Sequence, residues 1–506
     1  MKRNDILTKN VKKGPLWVLF KANKGRKNMK EEVLENEVEE KKSPFETEKI
    51  IKLVSKFALP CVISLVVNAL YNIVDQIFIG QAVGYVGNAA TNVVFPLTVI
   101  AMAFAVLIGD GTAAFLSLRL GEGKKEEASK GVGNALILIS IVGVLFLFLG
   151  IVLKEQLLTL FGVTQAVHDL AVNYMKYIVI GLPFMMVVTM LNSVIRADGS
   201  PRYAMVSMLS GAILNIVLDY LFLFRFSMGV EGAAIATVIG QVVSFVISIL
   251  YLRKIKTIDL NKQTIKPNKD IIKGICSLGI SSFITQMAIT IVMIVMNRSL
   301  SFYGAQSIYG SEIPLSALGI VMKVNQILIS IIVGIGIGSQ PIIGFNYGAK
   351  NYTRVKKTYF TALAIVTIAT SIGLILFEII PQVIVNLFGQ EEGLYNEFAL
   401  KCFRIFLMLC ICNGIQITSG IFFQAIGKPL KSIIISLSRQ ILFFVPLALF
   451  LPKFFGIDGL LYAGPVADGM AFLVAGCFIF FEMKKIVRLE KQNSMYKIEG
   501  VRKERI

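Results

Sequence analysis

Gly229-Val230-Glu231-Gly232 and its later copy, Gly456-Ile457-Asp458-Gly459, decide how this chain is read. The same offset carries Leu160-Phe161-Gly162 onto Leu387-Phe388-Gly389, and Gly111 and Gly121 onto Gly338 and Gly348. Ala197-Asp198-Gly199-Ser200-Pro201 returns as Ala425-Ile426-Gly427-Lys428-Pro429, one residue out of step. The chain is written twice. In a membrane protein, two equivalent halves point to a device that rocks about a central site, the construction of many secondary transporters.

Composition supports the membrane reading. Of 506 residues, 55% are hydrophobic and only 16% charged, and the mean hydropathy is +0.72. Soluble domains carry about a quarter charged residues. The net charge of +19 does not indicate nucleic acid, because the charges fill the two tails and alternate loops and leave the apolar segments nearly empty. Cys61, Cys276, Cys402, Cys410, Cys412 and Cys477 lie in apolar segments without metal-ligand spacing and read as small packing residues. His168 is the single histidine, which argues against histidine catalysis and histidine metal sites. Residues 1–48 are rich in Lys and Glu and show no signal peptide. They are expected to form a disordered or weakly helical cytoplasmic tail whose lysines favour anionic lipid.

Twelve apolar stretches are long enough to cross about 30 Å of hydrocarbon. They lie near 54–79, 90–118, 131–153, 169–195, 201–224, 231–252, 271–300, 313–345, 356–380, 397–425, 430–451 and 457–482. The expected fold is an all-α polytopic membrane protein of two pseudo-symmetric six-helix bundles, 49–253 and 271–483. A basic linker, 254–270, joins them, and a second basic tail covers 484–506. Basic loops alternate with poor ones. Lys124, Lys125, Lys130, Arg196, Arg202, Lys350, Arg354, Lys356, Lys357, Lys428 and Lys431 share one side with the linker and both tails. The other side has Lys154, Arg225, Arg298 and Lys453, and its loop at 381–396 carries Glu391 and Glu392. The positive-inside rule then places both termini in the cytoplasm of a bacterial-type plasma membrane. Even parity agrees with twelve spans, and six per half makes the repeat parallel.

An ionisable group within a span costs about 2.5–3.5 kcal/mol on insertion scales and is a functional candidate by default. The first half has Asp75, Asp110 and Asp219; the second has Lys323, Lys401, Arg404, Arg439 and Asp468. Asp75 follows Tyr71 by one turn and Asp219 follows Asn215 by one turn, so each pair shares a helix face. The expected topology puts Tyr71, Asp75, Asn215, Asp219, Thr237 and Tyr174 at one depth in the outer half. Like charges brought together out of water are costly, so such a carboxylate pair takes up a proton or holds a Na⁺ with help from Asn and Thr oxygens. Pro60 offers span 1 a place to bend. The alternative is that Asp75 and Asp219 bond helix backbones structurally. Asp110, between Gly109 and Gly111, reads equally as helix packing or as an inner gate. Asp468 is expected to pair with Arg439 or Arg404, Lys401 and Arg404 to snorkel, and Gly334, Gly336 and Gly338 to permit close helix approach.

Three segments together resemble the multidrug and toxic compound extrusion (MATE) family. They are Tyr71-Asn72-Ile73-Val74-Asp75 with Phe78-Ile79-Gly80, Arg196-Ala197-Asp198-Gly199-Ser200-Pro201, and Asn215-Ile216-Val217-Leu218-Asp219. The likeness covers about residues 45–485 and is strongest to the branch named for the DNA-damage-inducible transporter. It implies a cation-coupling site at Asp75, Asn215, Asp219 and Thr237, accompanied by Tyr71, Tyr174 and Asn192, although depth puts Asn192 nearer the cytoplasm. It further implies export of cationic or amphipathic drugs in exchange for H⁺ or Na⁺, with no other cofactor. The NorM-type branch places a glutamate on span 7 and an aspartate on span 10. Here span 7 offers Gln286 and Asn297, and span 10 offers Lys401 and Arg404, so a cation site in the second half is not expected.

The expected protein is therefore a monomeric antiporter whose partners are the lipid bilayer and small organic cations. Two rivals remain at this level. A flippase for a lipid-linked or specific metabolite substrate would favour a cationic cavity and further spans. A membrane-embedded enzyme would show clustered His, Cys or acidic motifs at an interface.

Overall fold

A computed structural model describes residues 43–261, 263–386 and 393–503. The charged tail as far as residue 42, the Leu387-Phe388-Gly389 copy, Glu391 and Glu392 lie outside the described residues. The chain divides into two units, Met1–Glu48 and Lys49–Ile506. The described part of the first is one short helix, Pro44–Thr47, whose entry is capped by Ser43 accepting from the Phe45 amide.

Among the described residues of the second unit, all regular structure is helical. Helices are what apolar sequences of this length must form in lipid, because each backbone N–H and C=O finds its partner within the segment. Eleven helices are long and apolar enough to cross a membrane. In chain order, spans 1 to 6 are Ile50–Val83, Val86–Gly121, Lys125–Val152, His168–Ala197, Pro201–Arg225 and Gly229–Lys254. Spans 7 to 9 are Lys269–Ala305, Glu312–Gly348 and Tyr352–Ile379; spans 11 and 12 are Pro429–Phe455 and Ile457–Asn493. Span 10 is the exception. It is a pair, Leu394–Phe406 and Cys410–Ala425, bent by 51°. Counted as one span it completes the twelve.

The repeated motifs are helix stops and starts. Gly199 and Gly427 have φ of 87° and 74°, and Gly229 and Gly456 have φ of 61° and 58°. This left-handed region is where glycine is tolerated without a Cβ clash. Pro201 and Pro429 then sit in the first turn of spans 5 and 11, where a missing N–H costs nothing. Short helices Lys154–Leu160 and Pro381–Asn386 also begin at equivalent places. Hydropathy located the spans but not their ends: the last helix continues from Ile457 to Lys503, through most of the segment read as a tail. Pro60 lies inside an unbroken span 1.

The halves meet through small residues, as membrane helices do when van der Waals contact replaces the hydrophobic drive. A Cβ built on Gly279 of span 7 would fall 1.7 Å from the Leu107 carbonyl oxygen of span 2. Its counterpart contact joins span 8 to span 1, where a Cβ on Gly338 would lie 2.6 Å from the Ala58 Cα. The equivalent glycines Gly121 and Gly348 meet each other: Gly348 would place a Cβ 3.1 Å from the Gly121 carbonyl carbon. Among the described residues these seams run from the loops rich in lysine to about mid-span, and that side is called here the basic face. The linker is pinned to the same face of the first half. Asp198 accepts from the amides of Lys256 and Thr257, both at 2.9 Å, and from the Tyr251 and Thr257 hydroxyls. Asn134 accepts from the Asn268 amide at 2.7 Å and donates to the Lys266 carbonyl at 3.2 Å.

Candidate functional site

Away from the basic face, spans 1, 4, 5 and 6 bring together most of the residues singled out in the sequence. Asp75 lies about 12 Å from the far end of span 1, Asp219 about 9 Å from that of span 5, Tyr174 about 9 Å into span 4 and Thr237 about 12 Å into span 6, at about 1.5 Å per residue. Helical register does the rest. Asn215 and Asp219 share a face of span 5, both buried, with Asp219 at 0% exposure.

The Asp75 and Asp219 side chains are close neighbours, and Tyr71 and Tyr174 lie beside them. The Asn215 amide donates to the Thr237 hydroxyl at 3.4 Å. Asp75 Oδ1, both Asp219 oxygens and Asn215 Oδ1 are buried without a hydrogen-bond donor. Among the described residues, neither carboxylate has a basic partner. Four unpartnered oxygens on spans 1 and 5 thus have nothing among the described residues to neutralise them. A buried polar atom without a partner is costly, and oxygens so arranged can accept a cation. The backbone reinforces the position: a π-helical turn, Leu221–Arg225, begins two residues after Asp219, a distortion frequent at functional sites. Beyond the carboxylates, Phe78 packs edge-on against Tyr220 and Phe224, with ring centroids 6.3 and 5.5 Å apart.

Asn192 does not join this group. It sits eighteen residues beyond Tyr174 on the same helix, about 27 Å along its axis, one residue from Ser193 near the basic face. Its Oδ1 is buried without a partner there. A residue the sequence reading passed over lies nearer. Gln241 is one turn below Thr237 on span 6, and its Oε1 is also unpartnered, pressed against Gly181 of span 4. The signal was available in the i, i+4 spacing from Thr237.

The buried carboxylates of the second half are paired, whereas Lys323 and Arg404 have no ion pair among the described residues. Asp468 binds Arg439, not Arg404, on a second π-helical stretch, Ser438–Phe444. Lys401 does not snorkel free; it reaches Asp458 at 2.6 Å. Glu482, 1% exposed, is held between Lys428 and Lys431. A cavity of about 540 Å³ lies between the bend of span 10 and span 12, lined by residues such as Met408, Tyr462, Val466 and Met470. It is an open, apolar groove, and none of its lining residues belongs to the carboxylate site.

Comparison with known proteins agrees with the architecture. The model of the MatE family matches residues 60–221 and 280–450. Multidrug export protein MepA of Staphylococcus aureus (strain MRSA252) is 25% identical over 438 residues, covering 86% of this chain and 95% of that protein. Its counterpart from Staphylococcus haemolyticus (strain JCSC1435) is 26% identical over 451 residues, covering 88% and 97%. Among solved structures, the MATE multidrug transporter DinF-BH, solved with a bound ligand, superposes with a TM-score of 0.79 at 34% identity, covering 86% of this chain and 96% of that one. An outward-facing MATE family transporter of the MOP superfamily shares the fold, with a TM-score of 0.81 at 24% identity over 88% and 97% of the two chains. With well over half of its length matched by the family model and a 34% identical relative spanning most of it, the chain belongs to the multidrug and toxic compound extrusion (MATE) family.

Proposed function

We propose that this protein is a secondary active antiporter that exports cationic or amphipathic organic compounds in exchange for H⁺ or Na⁺. The observation that carries the proposal is the neighbouring pair of a fully buried Asp219 and a half-buried Asp75 with one buried oxygen, which have no counter-charge among the described residues. A cation bound there changes the local charge by one unit and leaves again when the site faces the other compartment. Coupling requires only that the ion bind the two states of the halves differently. Asn215 and Thr237 supply neutral oxygens that orient the pair and complete a small oxygen cage suited to Na⁺. The rings of Phe78, Tyr220 and Phe224 at the mouth offer π-faces to an organic cation. Tyr71 and Tyr174 line the approach. The relatives named as multidrug exporters support the drug class, the ligand-bound structure of DinF-BH supports a small-molecule substrate, and we propose that the protein acts as a monomer. The charge asymmetry of the loops supports a bacterial plasma membrane location with both termini in the cytoplasm, which makes the basic face the inner one and the carboxylate pair accessible from outside.

The test is ethidium efflux from energised cells expressing wild type, Asp75→Asn and Asp219→Asn, with a pH gradient and a Na⁺ gradient imposed separately. Efflux is expected under one gradient, which names the ion, and is expected to fall to the background of cells lacking the protein in both variants. Efflux that survives both substitutions sinks the assignment of coupling to this pair.

A further inference from the structure

Asp110 is a carboxylate that stands at the seam between the halves and bonds across it. It lies on span 2 between two glycines that face opposite ways. A Cβ on Gly109 would fall 3.0 Å from the Met190 Cα of span 4, and one on Gly111 would fall 2.3 Å from the Ile275 carbonyl oxygen of span 7. Asp110 therefore sits where a helix of its own half and a helix of the other half both come to backbone contact. Its two oxygens divide between them. Oδ1 accepts from the Ser193 hydroxyl of span 4 at 3.1 Å, and Oδ2 accepts from the Ser282 hydroxyl of span 7 at 2.8 Å.

Each serine is itself held. Arg196 donates to the Ser193 hydroxyl at 2.8 Å within the first half. Gln424 of span 10 donates to the Ser282 hydroxyl at 3.0 Å and to the Leu278 carbonyl at 3.1 Å within the second. Arg196 and Gln424 occupy equivalent places in the repeat, each just before the Ala197 and Ala425 of the duplicated loop. The repeat thus brings two equivalent side chains to one carboxylate from opposite sides, each through a serine. Ser193 and Gln424 are buried, while Asp110, Ser282 and Arg196 are half-buried.

The two arms differ in what rocking does to them. The arm through Ser193 and Arg196 lies within one half and travels with it. The arm through Ser282 and Gln424 crosses the seam and must break when the halves separate at the basic face. Because the first arm persists, the charge keeps a donor in either state, and opening exchanges only the second arm for water.

We infer that Asp110 and Ser282 form a latch that holds the basic-face side of the two halves closed, with Arg196 and Gln424 as positioning residues. The inference rests on the rocking mechanism proposed above. Its test is double electron–electron resonance between spin labels at Lys125→Cys and Lys357→Cys, exposed positions in different halves, with the native cysteines replaced. Wild type is expected to show a short and a long distance that exchange weight when a cation gradient or ethidium is imposed. Asp110→Ala and Ser282→Ala are each expected to raise the ratio of long to short about tenfold, Gln424→Ala less, and Asp110→Asn least, since an amide still accepts from a serine. Tenfold corresponds to about 1.4 kcal/mol, the size of one hydrogen bond to a charged group. Lys401→Ala, whose ion pair with Asp458 lies within one half, serves as the control and should leave the ratio unchanged. If wild type exchanges two distances while Asp110→Ala and Ser282→Ala match it, the latch is refuted and rocking stands. If wild type shows one distance under every condition, the rocking reading falls and the latch with it.

Discussion

The two halves share a scaffold and differ in how they treat a buried carboxylate. In the first, Asp75 and Asp219 are close neighbours with three of their oxygens unpartnered. In the second, Asp468 is bound to Arg439, and Glu482 is bracketed by Lys428 and Lys431. Neutral orphans occur on both sides: Gln241 and Asn192 in the first half, Asn413, Gln416 and Gln440 in the second. The contrast is therefore one of charge, not of polarity. A carboxylate with a covalently fixed counter-ion is already neutralised and has little to exchange. A pair of carboxylates with none can accept a cation from solution. On the proposed mechanism, symmetry of backbone serves the motion and asymmetry of charge confines the coupling chemistry to one half.

The comparison makes the stability effects of neutralising substitutions opposite in sign. Asp468→Ala removes one member of a buried pair and strands Arg439, a change that costs about 3–5 kcal/mol where it has been measured in other proteins. A large fall in the detergent melting temperature is expected, with transport lost through loss of folded protein. A melting temperature equal to wild type would mean that the Asp468–Arg439 pair is not structural, and the two halves would be less different than they look.

Gly279→Ala probes the scaffold the halves have in common. Its new methyl group would meet the Leu107 carbonyl oxygen at 1.7 Å, and backbone cannot swing aside as a flexible side chain can. A cost of about 1–3 kcal/mol, typical of overpacking, is expected in thermal melts, together with weakened closure of the basic face. Full stability would show that spans 2 and 7 do not touch in the resting protein.

Asp219→Asn should give the smallest shift, and in the other direction. It removes one of two neighbouring charges and keeps the shape, so the melting temperature is expected to hold or rise, by about 1 kcal/mol in stability. Transport should nevertheless be lost. A variant that is both inactive and strongly destabilised would favour the structural alternative, in which these aspartates serve helix backbones.

Much of this was readable before folding. The number of spans follows from hydrocarbon thickness, and the repeat from glycines that recur wherever a helix must stop in the left-handed region. Tyr71 with Asp75 and Asn215 with Asp219 follow from the helical period, because residues one turn apart share a face in any helix. Depth, counted from the constant rise of a helix, already set Asn192 apart from its supposed companions.

Tertiary structure decided the rest. The sharp bend of span 10 has no proline to announce it; it lies where the Phe406 ring packs on Gly464 and Leu409 on Gly469 of span 12. Arg439 rather than Arg404 became the partner of Asp468, and Asp110 found Ser282, far away in the chain on span 7. Such choices depend on which helices abut and on how each is rotated about its axis. Periodicity determines the faces of a single helix. Only packing determines which face meets which, and that is where the unpaired Asp75 and Asp219 of the first half and the paired Asp468 and Glu482 of the second were settled.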